Sequence, residues 1–159
     1  MGRIYTVPMA PVAVTAQQDL FQVRAPSNMP VRLHEFHMSQ STEVGDAAEE
    51  GLSLLLKSGH NIPGAGGTGV TPARVAPGDA ACSGTCAVNN TTKASEAGSP
   101  TETVTHLGIN WNVRVPLDVI FTPESRIEIK SGGILTVELA TTPADSITMS
   151  GWVVIEEIG

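Results

Sequence analysis

The chain has 159 residues, with 9 Lys and Arg against 16 Asp and Glu and a formal charge of −7. That length fits one domain (1–159) with a core of its own, and the negative balance argues against nucleic acid as a partner, because the basic residues, scattered from Arg3 to Lys130, form no patch. No apolar run reaches the ~18 residues of a membrane helix, and 16 Gly, 11 Pro and only 16% charged residues favour short strands over helices.

The N-terminal stretch MGRIYTVPMAPVAVTAQQ has small apolar residues, but Pro8 and Pro11 interrupt them, so it is read as mature sequence that stays in the cytoplasm. RIYTV (3–7), PVAVT (11–15) and DLFQVR (19–24) have strand character. Residues 1–18, rich in Pro and small apolar residues, are expected to form an N-terminal arm that can reach a neighbour. PVRLHEFHMSQS (30–41) is a long extended run, VGDAAEEG (44–51) prefers a helical turn, and GLSLLLKSG (51–59) suits a buried strand.

From His60 to Pro100 the chain is mostly Gly, Ala, Pro, Ser, Thr and Asn, and is expected to be one long loop excursion that contributes little to the core. Strand patterns resume at 102–121, 125–132, 133–140 and 145–158. Leu135, Val137 and Leu139 alternate with Thr136 and Glu138, and Ile147, Met149, Val153 and Ile155 share one face. The expected core is Leu33, Leu54, Leu56, Val113, Val115, Ile127, Ile129 and these seven residues. About eight strands with unequal connections predict an all-β, antiparallel β-sandwich of jelly-roll type.

Candidate chemistry is sparse. Gly64, Gly66 and Gly69 spell G-x-G-x-x-G, yet no strand runs directly into Gly64, and Pro72 and Pro77 forbid the helix that would hold a phosphate. The string is therefore read as a flexible loop, with no cofactor. His34 and His37 sit three apart in HEFH, which period-two alternation places on opposite faces, and His60 and His106 are isolated, so no metal site is expected. No G-x-S-x-G elbow occurs, and the pairs Glu49–Glu50 and Glu156–Glu157 read as solubilising charge, so an enzyme is not expected and no catalytic residue is assigned. Cys82 and Cys86, in CSGTC, could close a small disulfide in an oxidising place or remain ordinary loop thiols. NNTT (89–92) matches a glycan acceptor twice, but a chain without an export signal does not meet that machinery. Trp152 falls on the polar side of its strand, which makes it a candidate exposed contact.

In its strand-rich halves around the 60–100 excursion, and in the ending DSITMSGWVVIEEIG, the chain resembles bacteriophage virion proteins, most of all the jelly-roll capsid decoration (cement) proteins. The resemblance implies a non-enzymatic virion subunit made in the host cytoplasm. Its partners would be the major capsid protein and its own copies, commonly as a homotrimer, and no family binding residue carries over. Two other classes stay open: a carbohydrate- or receptor-binding β-sandwich module, and a cupin-like metal-dependent enzyme, against which the missing H-x-H counts.

Overall fold

The computed structural model describes residues 2–43, 50–99 and 101–159. Twelve strands make up the described chain: β1 (Arg3–Val14), β2 (Gln18–Arg24), β3 (Val31–Gln40), β4 (Gly51–His60), β5 (Thr68–Val70), β6 (Ala73–Arg74), β7 (Thr85–Asn90), β8 (Val104–Asn112), β9 (Leu117–Ile120), β10 (Ile127–Ile129), β11 (Ile134–Leu139) and β12 (Ile147–Glu157). They form two antiparallel six-stranded sheets packed face to face. The helical turn expected over 44–51 lies outside the described residues, apart from Glu50 and Gly51, and Gly51 opens β4.

The first sheet runs β10-β3-β12-β1-β6, with β9 also on β3. β9 and β10 follow one another along the same edge of β3, Leu117 opposite Met38 and Ile129 opposite Val31, so they behave as one interrupted strand. The second sheet runs β5-β7-β2-β11-β4-β8. Successive framework strands alternate between the sheets except at β4–β8, and the last two, β11 and β12, each insert between two earlier ones. That is the jelly-roll order expected, with β5, β6 and β7 added by the excursion.

The alternation read from sequence places the core correctly at Leu33, Leu54, Leu56, Val113, Ile129, Leu135, Val137, Leu139, Ile147, Met149, Val153 and Ile155. Ile127 is only partly buried at the rim. Val115 is 59% exposed, because the run 102–121 is not one strand. A turn closed by Val115 N–H donating to Asn112 O breaks it, and sends β8 and β9 to different sheets.

Two further expectations need correction. Residues 1–18 are not a free arm. Residues 3–14 form one strand along β12, bulged between Met9 and Val12, and Tyr5, Val7, Met9 and Val14 fill the core. Prolines are tolerated there for a geometric reason. Ile4 O accepts from Val75 N on the side away from β12, so the backbone of Pro8, in phase with Ile4, also faces that side. Among the described residues β6 pairs there only with Tyr5 and Thr6, and Pro8 lacks its N–H where no donor is needed.

Nor is 60–100 an unstructured loop. β7 pairs with β2, putting Cys86 and Val88 in the core, and β6 crosses to the first sheet. Residues 61–65 and 92–95 form a ribbon, bridged at Ile62–Ser95 and Ala65–Thr92, that lies over the outer face of the second sheet.

Candidate functional site

Beneath that ribbon is a buried polar layer. Asp19, Gln22, Thr136 and Glu138 project from the sheet, with His60 and Asn90 beside them, and all are buried. Ala94 N–H donates to Asp19 Oδ2 at 2.6 Å, Gly64 N–H to Gln22 Oε1 at 2.6 Å, and Lys57 and Lys93 hold Glu138 at 2.6 and 2.9 Å. Thr136 and Glu138 are thus covered, where alternation alone would leave them in water. The ribbon is held to the sheet mainly by hydrogen bonds and ion pairs.

The GAGGTG string belongs to this ribbon and to the turn into β5. A Cβ on Gly67 would collide with Val88 O, one on Gly64 would lie 2.5 Å from Thr92 O, and Gly66 has φ +81°. The glycines let the backbone settle onto β7, so the string is a packed strap, neither a phosphate cradle nor a flexible loop.

Burial pushes the Asp19 carboxyl up to about 6 against the hydrogen bond from Ala94, and lowers the His60 imidazole. Glu138 is held below its usual range by Lys57 and Lys93 against the opposing effect of burial. Between pH 4 and 6 the folded chain keeps a proton on Asp19 that the unfolded chain releases, so this group's contribution to stability falls as pH rises. Asp19→Asn removes that loss. Its stability relative to wild type should improve by about 3 kcal/mol between pH 3.5 and pH 6.5, at roughly 1.36 kcal/mol for each tenfold gain in proton affinity. Urea unfolding of both proteins across that range checks it, and parallel curves would place Asp19 in contact with water.

The cysteines lie on the opposite side of the excursion. Both are free thiols in this structure. Desolvation first, then Glu157, raises Cys82 to about 12, and desolvation raises Cys86 as well, which makes both poor nucleophiles. Glu157 is buried and serves as an anchor. Its Oε1 accepts from Ser83 N at 2.6 Å, Gly84 N at 2.9 Å and Cys82 Sγ at 3.3 Å, and its Oε2 from Tyr5 OH at 3.3 Å. By sequence alone it reads as solubilising charge, and nothing local distinguishes it from Glu156, which faces outward and pairs with His34 at 2.8 Å.

The histidines also depart from expectation. A bulge in β3 between Leu33 and Glu35 lets His34 reach Glu156 while His37 reaches Trp152, so both lie on the outer face of the first sheet. They are held by different carboxylates and do not converge. His106 takes Ser58 Oγ at 2.7 Å on the second sheet. The described acidic residues that approach one another as cation ligands would are Glu43, Glu50 and Asp145, with ligand oxygens within 4.8 Å, and Glu50 Oε1 already accepts from Ala144 N.

Trp152 is 42% exposed, as alternation predicts. It sits in a row across the first sheet, Asp118–His37–Trp152–Pro8, each residue opposite the next in register. The imidazole of His37 stacks on the indole, centroids 4.3 Å apart and planes 18° from parallel. Asp118 Oδ1 binds His37 Nδ1 at 2.5 Å, and Glu35 Oε1 lies 3.5 Å from Nε2. Ile120, 69% exposed, and Val154 occupy the next row with Glu35. Past Pro8 the face turns into an apolar groove of about 420 Å³ between β1 and β5, lined by Met9, Ala10, Pro11, Val12 and Val70 among others. The face thus presents an indole stacked on a buried histidine and set among aliphatic and acidic side chains. Comparison with known proteins finds no matching family model, no similar characterised protein and no similar solved structure.

Proposed function

We propose that this chain is a non-enzymatic virion structural protein, a capsid decoration subunit that joins its own copies, as a trimer, and the major capsid protein of a phage shell. The observation that carries the reading is the outer face around Trp152. An indole fixed by His37 and continuous through Pro8 with an apolar groove offers a preorganised surface for another protein. On a repeating shell, many modest contacts of this kind add up through multivalency. The site of action would be the virion, after synthesis in the host cytoplasm.

The test is twofold. Light scattering behind size exclusion should give three times the 16.6 kDa subunit mass, and mass spectrometry of purified virus particles from the source should recover the polypeptide. A monomer absent from particles would overturn the proposal. A second reading, a carbohydrate-binding module, draws support from the same indole beside carboxylates. Against it, one indole face is already taken by His37, which leaves less of the ring for a sugar to stack on. Glycan-array binding lost in Trp152→Ala would favour it.

A further inference from the structure

Beyond the association proposed above, we propose that the outer edge of β8 pairs antiparallel with β8 of a second copy, about a twofold axis at Ile109, which joins the two second sheets into one. β8 ends its sheet, and among the described residues only β4 pairs with it. Edge strands of native domains are usually guarded against such pairing by charge, proline or shortness. The other open edges follow that habit. β9 carries Asp118, β10 carries Glu128, β6 carries Arg74, β5 has 3 residues, and β1 past Thr6 carries Pro8 and Pro11. β8, VTHLGINWN, has neither charge nor proline in 9 residues. On a chain of net charge −7, it is a strand where a second copy meets no like charge.

The phase of the backbone decides which groups are open. Val113 N–H donates to Glu50 O and Ala140 N–H to Ser53 O, so Leu107, Ile109 and Trp111 turn their backbone toward β4, while Gly108 and Asn110 turn theirs outward. Both outward residues are exposed. A bulge at His106 ends the regular run on one side, and Asn112 O already accepts from Val115 N on the other. One twofold register uses the two open residues and no others. Gly108 lies opposite Asn110 of the second copy, each exchanging both backbone hydrogen bonds, and Ile109 lies opposite its own counterpart. The side chains agree with it. Leu107 and Ile109 lie on the inner face against the core and are only partly buried, and this register sets them against Trp111 and Ile109 of the second copy. It also brings the end of β8 that carries Val104, 51% exposed, to the end that leads to Val115, 59% exposed. This fit of the strand to its own inverted copy is what singles out a second copy over an unrelated segment. Between trimers on a shell, the pairing joins one trimer to the next.

Two measurements test this. In that register the facing Ile109 residues form a pair without mutual hydrogen bonds, their Cα atoms about 4.5 Å apart, a spacing a disulfide can bridge. Oxidised glutathione should convert Ile109→Cys into a covalent dimer at a rate about fivefold or more above Leu107→Cys, whose facing residue is Trp111. The wild-type chain gives the background from Cys82 and Cys86. Adding Asn110→Lys, at an exposed side chain that bonds Ser53 Oγ, should suppress the cross-link with the thermal transition retained. In the unmodified protein, hydrogen exchange at the Gly108 and Asn110 amides should slow by about threefold or more as concentration rises roughly a hundredfold. The Ile109 amide, already bonded to β4, should not change. Equal cross-linking of Ile109→Cys and Leu107→Cys, or exchange at Gly108 and Asn110 that ignores concentration, would overturn the pairing. Protection that appears only on capsids would overturn it too, and give the edge to a strand of another protein. Should Asn110→Lys fail to fold, the exchange measurement decides. Trimers found in particles with freely exchanging edge amides remove this contact and leave the assembly reading standing. A dimer cross-linked through Ile109→Cys and absent from particles does the reverse.

Discussion

Removal of residues 1–14 is expected to abolish cooperative folding. The segment supplies Tyr5, Val7, Met9 and Val14, all essentially without solvent contact, and pairs with β12 over nearly its whole length. At roughly 1.5–3 kcal/mol for each large buried side chain, their loss removes about 6–12 kcal/mol, comparable with the ~5–15 kcal/mol that separates a folded domain from its unfolded chain. Deletion also exposes the inner edge of β12 and strips Glu157 of the Tyr5 hydroxyl. Circular dichroism of the truncated protein should show no sharp thermal transition. A truncated chain that melts cooperatively near the wild-type temperature would show that β1 is an appendage, as its prolines suggest when read alone.

Replacing residues 64–98 with a short Gly/Ser linker should leave a sandwich that folds but melts about 15 °C lower. On composition, the segment reads as dispensable. In the fold it carries Cys86, Val88 and Ala94, whose burial together contributes about 5 kcal/mol, and a change of 1 kcal/mol moves the midpoint of a domain this size by roughly 2–4 °C. Two effects pull the other way: Asp19 and Glu138 regain water, and loop closure depends only weakly on length. The framework β2-β11-β4-β8 keeps its own ladders, which is why folding itself survives. Calorimetry checks this. An unchanged midpoint would mean that the strap and β7 add nothing to the core, and loss of any transition would make them part of its nucleus.

What the sequence disclosed and what it withheld divide along a physical line. Alternation is a local property, so the inner faces of β11 and β12, the sandwich itself and the outward position of Trp152 could be read directly. Pairing is not local. The histidine that stacks on Trp152 lies more than a hundred residues earlier, and only the register of β3 on β12 brings them together. The polar layer was hidden for a different reason. Thr136, Glu138, Asp19 and Gln22 carry no apolar period, so a face covered by a hydrogen-bonded ribbon has the same pattern as one facing water. The bulge in β3 likewise defeats counting by twos, and puts His34 on a face that period-two spacing assigns elsewhere.

The pairing of β1 with β12 also fixes the order in which this protein can be built. At roughly 5–20 residues added per second, the first strand emerges and then waits on the order of ten to thirty seconds before residues 147–157 exist. Throughout that interval Val7 and Met9 have no neighbouring strand to pair with, since among the described residues β6 pairs with Tyr5 and Thr6 alone. The two strands that close the sheets, β11 and β12, are also the last made of the twelve, so the sandwich cannot be completed until they emerge. Contacts of such long sequence separation place the chain among slow folders. Its nascent form therefore presents an unpaired apolar strand for many seconds, a substrate for chaperones in whatever cell makes it.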